Sequence, residues 1–296
     1  YSGAEYVLHK GDLVGNIYGY RSNGIWTPED FLGGYNAKNN VWLGADGKEI
    51  TTPLGNAYPG MTKIGSIDGE GIYQKGETEV LGNALPKFNG GFNISFNISG
   101  ENWGKVDMAA NFTYTYGNSV LNFSALDYST IVSTTTALRN NNGNLTYKNR
   151  YSMFDADGNY IPANYSSFAV KNIVTYGSDG YNQLAAELAQ NNVDYTQANP
   201  YNTSLVLTDK YVEDASYLRF SALTIGYSLP QKYTKKAYIQ NARIFFTANN
   251  LFCATSYSGA DPEVDTRSKN NPMLIGVDYS AFPKNRSFNF GLNLSF

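Results

Sequence analysis

Hydrophobic and polar residues alternate along several segments of this chain, most regularly over Arg286–Phe296. The apolar positions of this segment are Phe288, Phe290, Leu292, Leu294 and Phe296. Because a strand turns successive side chains to opposite faces, the pattern predicts a strand with one fully apolar face. About ten residues of such alternation is the length that a tilted strand needs to cross a bilayer. The segment favours a membrane barrel, although a strand of a soluble sandwich could alternate in the same way.

Five further segments are predicted to be strands: residues 13–21, 88–99, 105–117, 215–228 and 242–252. A tight turn at 100–104 joins the second and third of these into a long hairpin with one apolar face. The opposite face of this hairpin carries Asp107 and Asn111, and the same face of the last strand carries Asn289 and Asn293. In 215–228 the apolar set slips by one residue between Phe220 and Leu223, which indicates a β-bulge.

The connections between the six predicted strands alternate in length. Three are long, covering 22–87, 118–212 and 254–285, whereas the turns at 100–104 and 230–240 are short. Bacterial outer-membrane barrels have short periplasmic turns and long extracellular loops. The order therefore predicts an all-β chain that forms part of a transmembrane antiparallel β-barrel, with its long loops outside the cell. Within these loops we expect local hairpins and one short helix, over Asn182–Gln190.

Composition fits this prediction and narrows the classes of function. Hydrophobic residues make up 42% of the chain, the mean hydropathy is −0.38, and no apolar run is long enough for a helical membrane span. Aromatic residues reach 15%, with 25 Tyr. Tyr suits a membrane interface, where its ring is buried and its hydroxyl stays wet. A net charge of −3 gives no case for nucleic acid as a partner.

Candidate catalytic and metal-binding residues are few. Cys253 and His9 are the single residues of their types, so the sequence offers no internal disulfide and no zinc-ligand set. Asp155, Asp157 and Asn159 have the spacing that opens a calcium loop, but the glycine comes too early and the Glu expected at the end is missing. A hairpin turn explains them without an ion, and the DGEG segment at 68–71 allows the same two interpretations. With no nucleophile or nucleotide motif, we predict neither an enzyme nor a cofactor.

Seven tyrosines lie among many asparagines in the long 118–212 segment. They are Tyr147, Tyr151, Tyr160, Tyr165, Tyr181, Tyr195 and Tyr201. Tyr and Asn together can stack on a sugar or on a peptide backbone and hydrogen-bond to it. We predict these residues as contacts to a substrate or a partner, the alternative being the ordinary aromatic and polar surface of a barrel loop.

Four segments in the last third of the chain match the sequence motifs of a known family. They read DASYLRFSALTIGYSLP, ARIFFTANNLF, YSGADPEV and GVDYSAFPKNRSFNFGLNLSF. Residues 213–296 thereby resemble the carboxy-terminal end of SusC/RagA-type TonB-dependent transporters, the outer-membrane nutrient importers of Bacteroidetes. The resemblance is looser over 16–26 and 80–96, and it covers about half the chain. Residues 118–211 depart from the family pattern, and SIDGEGI is a poor version of an acidic stretch often found in the family.

The resemblance implies a barrel of 22 strands closed around an amino-terminal plug, as in the plugged transporters. It implies that residues 1–296 are the carboxy-terminal part of a single outer-membrane β-barrel domain, with the plug and the earlier strands outside this sequence. The implied partners are a SusD-like surface lipoprotein, the TonB complex through the absent amino-terminal region, a glycan or peptide substrate, and outer-membrane lipids. The alternative from a different class is a soluble, secreted β-sandwich that binds glycans.

Overall fold

A computed structural model of the chain describes residues 11–64, 78–129, 131–134, 137–138, 149–199, 201–202, 206–263, 275–279 and 281–296. The chain divides into two compact units. The aromatic unit comprises the described parts of Tyr18–Leu81 and Phe123–Tyr211. The sheet unit comprises the described parts of Leu8–Ile17, Gly82–Asn122 and Val212–Phe296.

The described residues form mostly short strands, together with five long ones. In chain order the strands are β1 (Asn16–Gly19), β2 (Ser22–Ile25), β3 (Gly34–Asn36), β4 (Val41–Leu43), β5 (Thr51–Thr52), β6 (Gly55–Asn56), β7 (Thr62–Ile64), β8 (Glu79–Asn83), β9 (Phe88–Gly100), β10 (Gly104–Tyr116), β11 (Ser119–Asn122), β12 (Ile131–Thr134), β13 (Ala137–Leu138), β14 (Ile173–Val174), β15 (Tyr201–Asn202), β16 (Val212–Asp214), β17 (Tyr217–Ser228), β18 (Asn241–Thr255), β19 (Val277–Asp278) and β20 (Ser287–Ser295). The α-helices are α1 (Phe123–Ser129), α2 (Asp179–Asn191) and α3 (Gln231–Thr234). Short 3₁₀ helices cover Pro28–Asp30, Ile161–Phe168, Asp209–Tyr211 and Lys235–Ala237.

The five long strands form one antiparallel sheet in the order β20-β18-β17-β10-β9. This confirms the predicted hairpin and three of the other predicted strands, each to within three residues at its ends. The connections also follow the predicted alternation of short and long. α3 and the 3₁₀ helix Lys235–Ala237 form the compact link between β17 and β18.

The predicted bulge in β17 is present. Ser221 has no partner in the register of β17 with β10, where Asn111 pairs with Ala222 and Phe112 with Phe220. On the other side of β17, Phe220 pairs with Phe252 and Ala222 with Asn249, so β18 carries one residue more than β17 there. Because each of these offsets adds one residue to one strand only, the apolar side chains stay on one face past the irregularity.

The strand predicted over residues 13–21 is wrong as a member of this sheet. Only Asn16–Gly19 is a strand, and it pairs with β8 in a separate two-stranded sheet. All four residues of β1 are buried. A strand buried on both sides has no reason to alternate, and Gly-rich, Tyr-rich composition was therefore a poor guide to its partner.

The aromatic unit has a core of its own, built from short elements. Trp26, Phe31, Tyr35 and Trp42 are at most 2% exposed. Their rings are in contact, with centroids 5.5 Å apart for Trp26–Phe31, 5.3 Å for Phe31–Trp42 and 5.2 Å for Tyr35–Trp42. The hairpin β3–β4 supplies Tyr35 and Trp42 to this core, and the turn of the hairpin β5–β6 supplies Leu54. Segments predicted as a loop thus bury enough aromatic surface to fold.

Helix α2 confirms the predicted helix and extends it to Asp179–Asn191. Ser178 caps its start by accepting a hydrogen bond from the Tyr181 amide at 3.3 Å. Tyr181, Leu184 and Leu188 lie one turn apart on the buried face. The helix is thereby fixed against the aromatic core.

Candidate membrane-facing sheet and candidate ligand cavity

One face of the five-stranded sheet is apolar across all five strands. Three consecutive cross-strand rows make up this face: Phe96, Met108, Ile225, Phe246 and Phe290; Ile94, Ala110, Leu223, Ala248 and Phe288; and Ile98, Val106, Tyr227, Ile244 and Leu292. Beyond them a ladder of stacked rings crosses three strands, with centroids 4.7 Å apart for Phe92–Phe112 and 4.5 Å for Phe112–Phe220. Such a large and regular apolar surface marks a contact with an apolar environment.

The predicted lipid-facing residues of the last strand belong to this apolar face. Phe288, Phe290, Leu292 and Leu294 lie in register with β18, and they and Phe296 are 43–81% exposed. In a soluble sandwich these side chains would be covered by a second sheet. Their exposure is the arrangement expected of a lipid-facing strand.

The opposite face is polar and carries a charged pair. The guanidinium of Arg243 in β18 reaches across β17 to Asp107 in β10, with Nη2 2.5 Å from Oδ2. The residue between them is Gly226, where a Cβ atom would lie only 2.3 Å from that guanidinium. In the same way, a Cβ at Gly291 would lie 2.1 Å from the ring of Phe245. These two glycines let long side chains lie flat across neighbouring strands.

A second charged cluster lies at the other end of the sheet. Arg219 and Asp261 are both 4% exposed, and Nη2 lies 2.6 Å from Oδ1. Glu263 Oε2 is 2.9 Å from Arg219 Nε, and Arg219 Nη1 donates to Asn250 Oδ1 at 2.6 Å. Asn250 has a φ of 54°, which Asn tolerates, and it donates to the carbonyl of Lys284 at 2.8 Å. This cluster ties the segment after β18 to the segment before β20.

The predicted contact tyrosines are distributed between the core and its margin. Tyr151 and Tyr181 are buried, and the Tyr181 hydroxyl donates to the Pro28 carbonyl at 2.5 Å. Burial raises the pKa of both hydroxyls. Tyr160, Tyr165 and Tyr195 are partly buried and pack against the aromatic core.

Tyr165 donates to Glu187 Oε2 at 2.5 Å, and burial raises its pKa to about 12. Tyr147 lies outside the described residues, and only the backbone of Tyr201, in β15, is described. Direct contact of the seven tyrosines with a substrate or partner stays a prediction. The structure gives Tyr151 and Tyr181 a packing role.

A cavity of about 440 Å³ opens within the aromatic unit beside this core. Trp42, Ala57 and Met153 form its buried walls. Its other lining residues are, apart from Val41, aromatic or polar: Asn40, Glu49, Asn56, Tyr58, Phe154, Tyr160 and Asn199. The cavity therefore combines apolar walls with a rim of amides and one carboxylate, and its size is that of a small-molecule site.

The two residues that flank the turn with calcium-loop spacing line this cavity. Phe154 and Tyr160 pair across the turn, with ring centroids 5.4 Å apart. Asp155 Oδ1 accepts from the amides of Asp157 at 3.0 Å and Asn159 at 2.8 Å. These bonds, the side-chain bond from Asn159 first among them, lower the pKa of Asp155. Among the residues that the structure describes, no cluster of potential ligands would hold a metal ion.

Of the cavity's lining residues, only Tyr160 is among the contacts predicted from the sequence. Trp42 and Glu49 lie in a segment interpreted as loop, and nothing in their spacing indicates a shared site. The sequence feature that could have pointed to this region is the density of aromatic residues near short hairpin patterns. That feature predicts a small hydrophobic core but does not indicate a cavity beside it. None of the helices in the described parts of the chain is long and apolar enough to cross a membrane.

Comparison with known proteins gives a consistent set of relatives. No family model matches the chain. It is 26% identical over 293 residues to TonB-dependent receptor P3 of Formosa agariphila, a match that covers 98% of this chain and 23% of that protein. It is 31% identical over 91 residues to TonB-dependent receptor SusC of Bacteroides thetaiotaomicron, covering 30% of this chain and 8% of that protein.

Solved structures show the same fold. The RagAB peptide importer in its closed-closed state matches with a TM-score of 0.52 at 17% identity, over 95% of this chain and 23% of that one. Another structure of the RagAB peptide transporter gives a TM-score of 0.51 at 16% identity, over 95% and 23%. The chain spans about a quarter of the length of the curated relatives that it matches along most of its length. Sequence and fold together identify the chain as a SusC/RagA-like segment of a TonB-dependent outer-membrane receptor.

Proposed function

We propose that the protein containing this chain imports nutrients across the bacterial outer membrane, with energy delivered through TonB. The observation that carries the proposal is the apolar face of the five-stranded sheet, whose large side chains are exposed or partly exposed on every strand and which is backed by a polar face. The names of the relatives, TonB-dependent receptors in Formosa and Bacteroides, support it. Import of this kind needs binding and gating and no covalent chemistry. No enzymatic role is assigned to the chain.

In this proposal the five strands are part of a larger barrel in a single outer-membrane domain. β9 and β20 each have one edge without a partner among the described strands. In hydrocarbon every unsatisfied backbone group costs several kcal/mol, so both edges would pair with strands outside this sequence. The apolar face, including Phe288–Phe296, would contact lipid, and Asp107, Asn111, Asn289 and Asn293 would face the lumen or a plug. The soluble sandwich is disfavoured because it would cover the apolar face with protein.

The partner in this proposal is a SusD-like surface lipoprotein, and the substrate is an oligosaccharide or a peptide. The structures named RagAB peptide importer support a two-component assembly. The aromatic unit, built from the predicted extracellular segments 22–87 and 118–212, has a packed core and therefore a fixed surface. A fixed surface suits a stable protein contact better than a disordered loop would.

Two experiments test this function. The full-length protein, tagged in its native host, should be recovered from the outer membrane together with a lipoprotein. Deleting its gene should abolish growth on one oligosaccharide or peptide source, and a TonB-deficient strain should show the same loss. Recovery in the soluble fraction, or import that is independent of TonB, would contradict the proposal.

Orientation is tested by labelling intact cells. Cys253 is first replaced by Ser, and single cysteines are then placed at Asp157, in the turn of the aromatic unit, or at Asn102, in the short turn between β9 and β10. A membrane-impermeant maleimide should label position 157 and spare position 102 until the cells are lysed. The reverse pattern would invert the proposed topology.

A further inference from the structure

The cavity of the aromatic unit has the properties of a preformed ligand site. Its wall residue Trp42 is 1% exposed and is held by ring contacts with Phe31, Tyr35 and Tyr181, the last at 6.1 Å. Such a wall cannot collapse into the space without breaking the core. This wall is therefore already ordered before a ligand binds, so that binding does not have to order it.

The rim of the cavity is polar and is also held in place. Tyr35 donates from its hydroxyl to Asn40 Oδ1 at 2.7 Å. Asn56 donates from its side-chain amide to Glu49, and Thr51 Oγ1 donates to Asn56 Oδ1 at 3.4 Å. The amide of Asn199 donates to the carbonyl of Gly60 at 2.7 Å, which fixes the backbone there. Amide side chains carry both donors and acceptors, so this rim can serve a ligand with hydroxyl groups.

The charge of the lining narrows the class of ligand. Among the described residues that line the cavity, Glu49 is the only carboxylate, and none is Lys, Arg or His. A phosphate, a sulfate or a carboxylate in the cavity would lie near the Glu49 carboxylate. No cationic side chain among the described lining residues would offset the cost of removing that anion from water. A purely aliphatic ligand would fill the cavity without using the hydrogen-bonding groups of Asn40, Asn56 and Glu49. The lining fits a neutral ring with one apolar face and polar edges.

We propose that this cavity binds one neutral sugar unit of a glycan. The apolar C–H face of the sugar would lie against the aromatic side of the cavity, where Phe154 and Tyr160 are paired, and its hydroxyls would bond to Asn40, Asn56 and Glu49. That the bound glycan is the imported cargo rests on the proposed function, whereas the binding itself does not.

The test uses the full-length transporter purified in detergent. Calorimetric titration with maltohexaose, cellohexaose, xylohexaose and mannohexaose supplies the neutral probes, with an oligoguluronate as the anionic probe and a leucine-rich pentapeptide as the peptide probe. We expect binding of at least one neutral oligosaccharide. Phe154→Ala and Asn56→Ala should each weaken it tenfold or more, or about 1.4 kcal/mol. Both side chains are exposed, so neither change should disturb folding.

The matched control is Tyr128→Ala, which removes another exposed aromatic of the same unit that does not line the cavity. It should leave the affinity unchanged. The inference is overturned if none of the four neutral oligosaccharides binds, if Phe154→Ala and Asn56→Ala leave their binding intact, or if the anionic or peptide probe binds in a way that these changes abolish. The proposed function fails separately, when import or outer-membrane recovery is absent although the cavity still binds sugar.

Discussion

An arginine placed on the apolar face of β20 should destabilise the protein in a membrane far more than the same arginine on the polar face. Phe290 and Asn289 are neighbours on this strand, and their side chains lie on opposite faces of the sheet. The pair Phe290→Arg and Asn289→Arg therefore adds the same charge at nearly the same depth. Only the medium that surrounds the charge differs.

The depth of each position follows from strand geometry. β20 covers Ser287–Ser295, so Gly291 is its middle residue. A rise of about 3.3 Å per residue and a tilt of about 40° give about 2.5 Å of height per residue. With Gly291 at the midplane, Phe290 lies about 2.5 Å from it and Leu294 about 7.5 Å, in an apolar band about 25 Å tall.

The cost of an arginine should follow this depth. At the midplane it is about 2–4 kcal/mol, and it falls to about 0–1 kcal/mol near the interface. We therefore expect about 2–4 kcal/mol for Phe290→Arg and an intermediate value for Leu294→Arg. Asn289→Arg should cost at most about 1 kcal/mol, because its side chain would face the polar side of the sheet.

The assay is equilibrium unfolding of the full-length transporter, refolded into lipid vesicles and titrated with urea. The fraction folded is measured from its mobility on gels before and after heating, and the free energy of unfolding is obtained by linear extrapolation. Equal costs for Phe290→Arg and Asn289→Arg, or a larger cost at Leu294 than at Phe290, would refute the assignment of this face to lipid.

Three further predictions concern the sheet and the turn. Gly291→Ala places a Cβ atom 2.1 Å from the ring of Phe245 and should lower the free energy of unfolding, measured with urea, by about 1–3 kcal/mol. Adding Phe245→Ala should recover most of this loss. If the effects of the two substitutions simply add, the close approach is contradicted. Asp261→Asn removes the carboxylate at 2.6 Å from the buried Arg219 guanidinium, while Glu263 remains at 2.9 Å, and should cost about 1–3 kcal/mol. No measurable cost would show that the pair is not buried in the assembled protein. Because the pKa of Asp155 is lowered, ionised Asp155 stabilises its turn at a pH above the pKa of the unfolded chain, and this stabilisation is lost as the pH falls through the folded pKa. An NMR titration should give this carboxyl a pKa below about 3.9, and Asp155→Asn should remove the pH dependence of the turn.

The sequence by itself determined the five long strands of the sheet. In a strand with one apolar face, hydrophobic residues recur at every second position, and all five long strands show this alternation. The bulge at Ser221 was visible for the same reason, since a one-residue slip would otherwise turn every later side chain to the wrong face. The sequence motifs of the last strands were specific enough to indicate SusC/RagA-like relatives, and the relatives found are of this kind.

Only the tertiary structure decided what the long segments do. Trp26, Trp42 and Tyr181 are up to 155 residues apart along the chain, and no local pattern indicates that they share a core. β1 pairs with β8, which begins 60 residues after β1 ends, because this partner is chosen by packing and not by periodicity. The cavity likewise depends on side chains from separated segments, around Trp42, Asn56, Phe154 and Asn199. A local period reports how a segment faces its surroundings, whereas contacts between distant segments are set by the shape and burial of the whole unit.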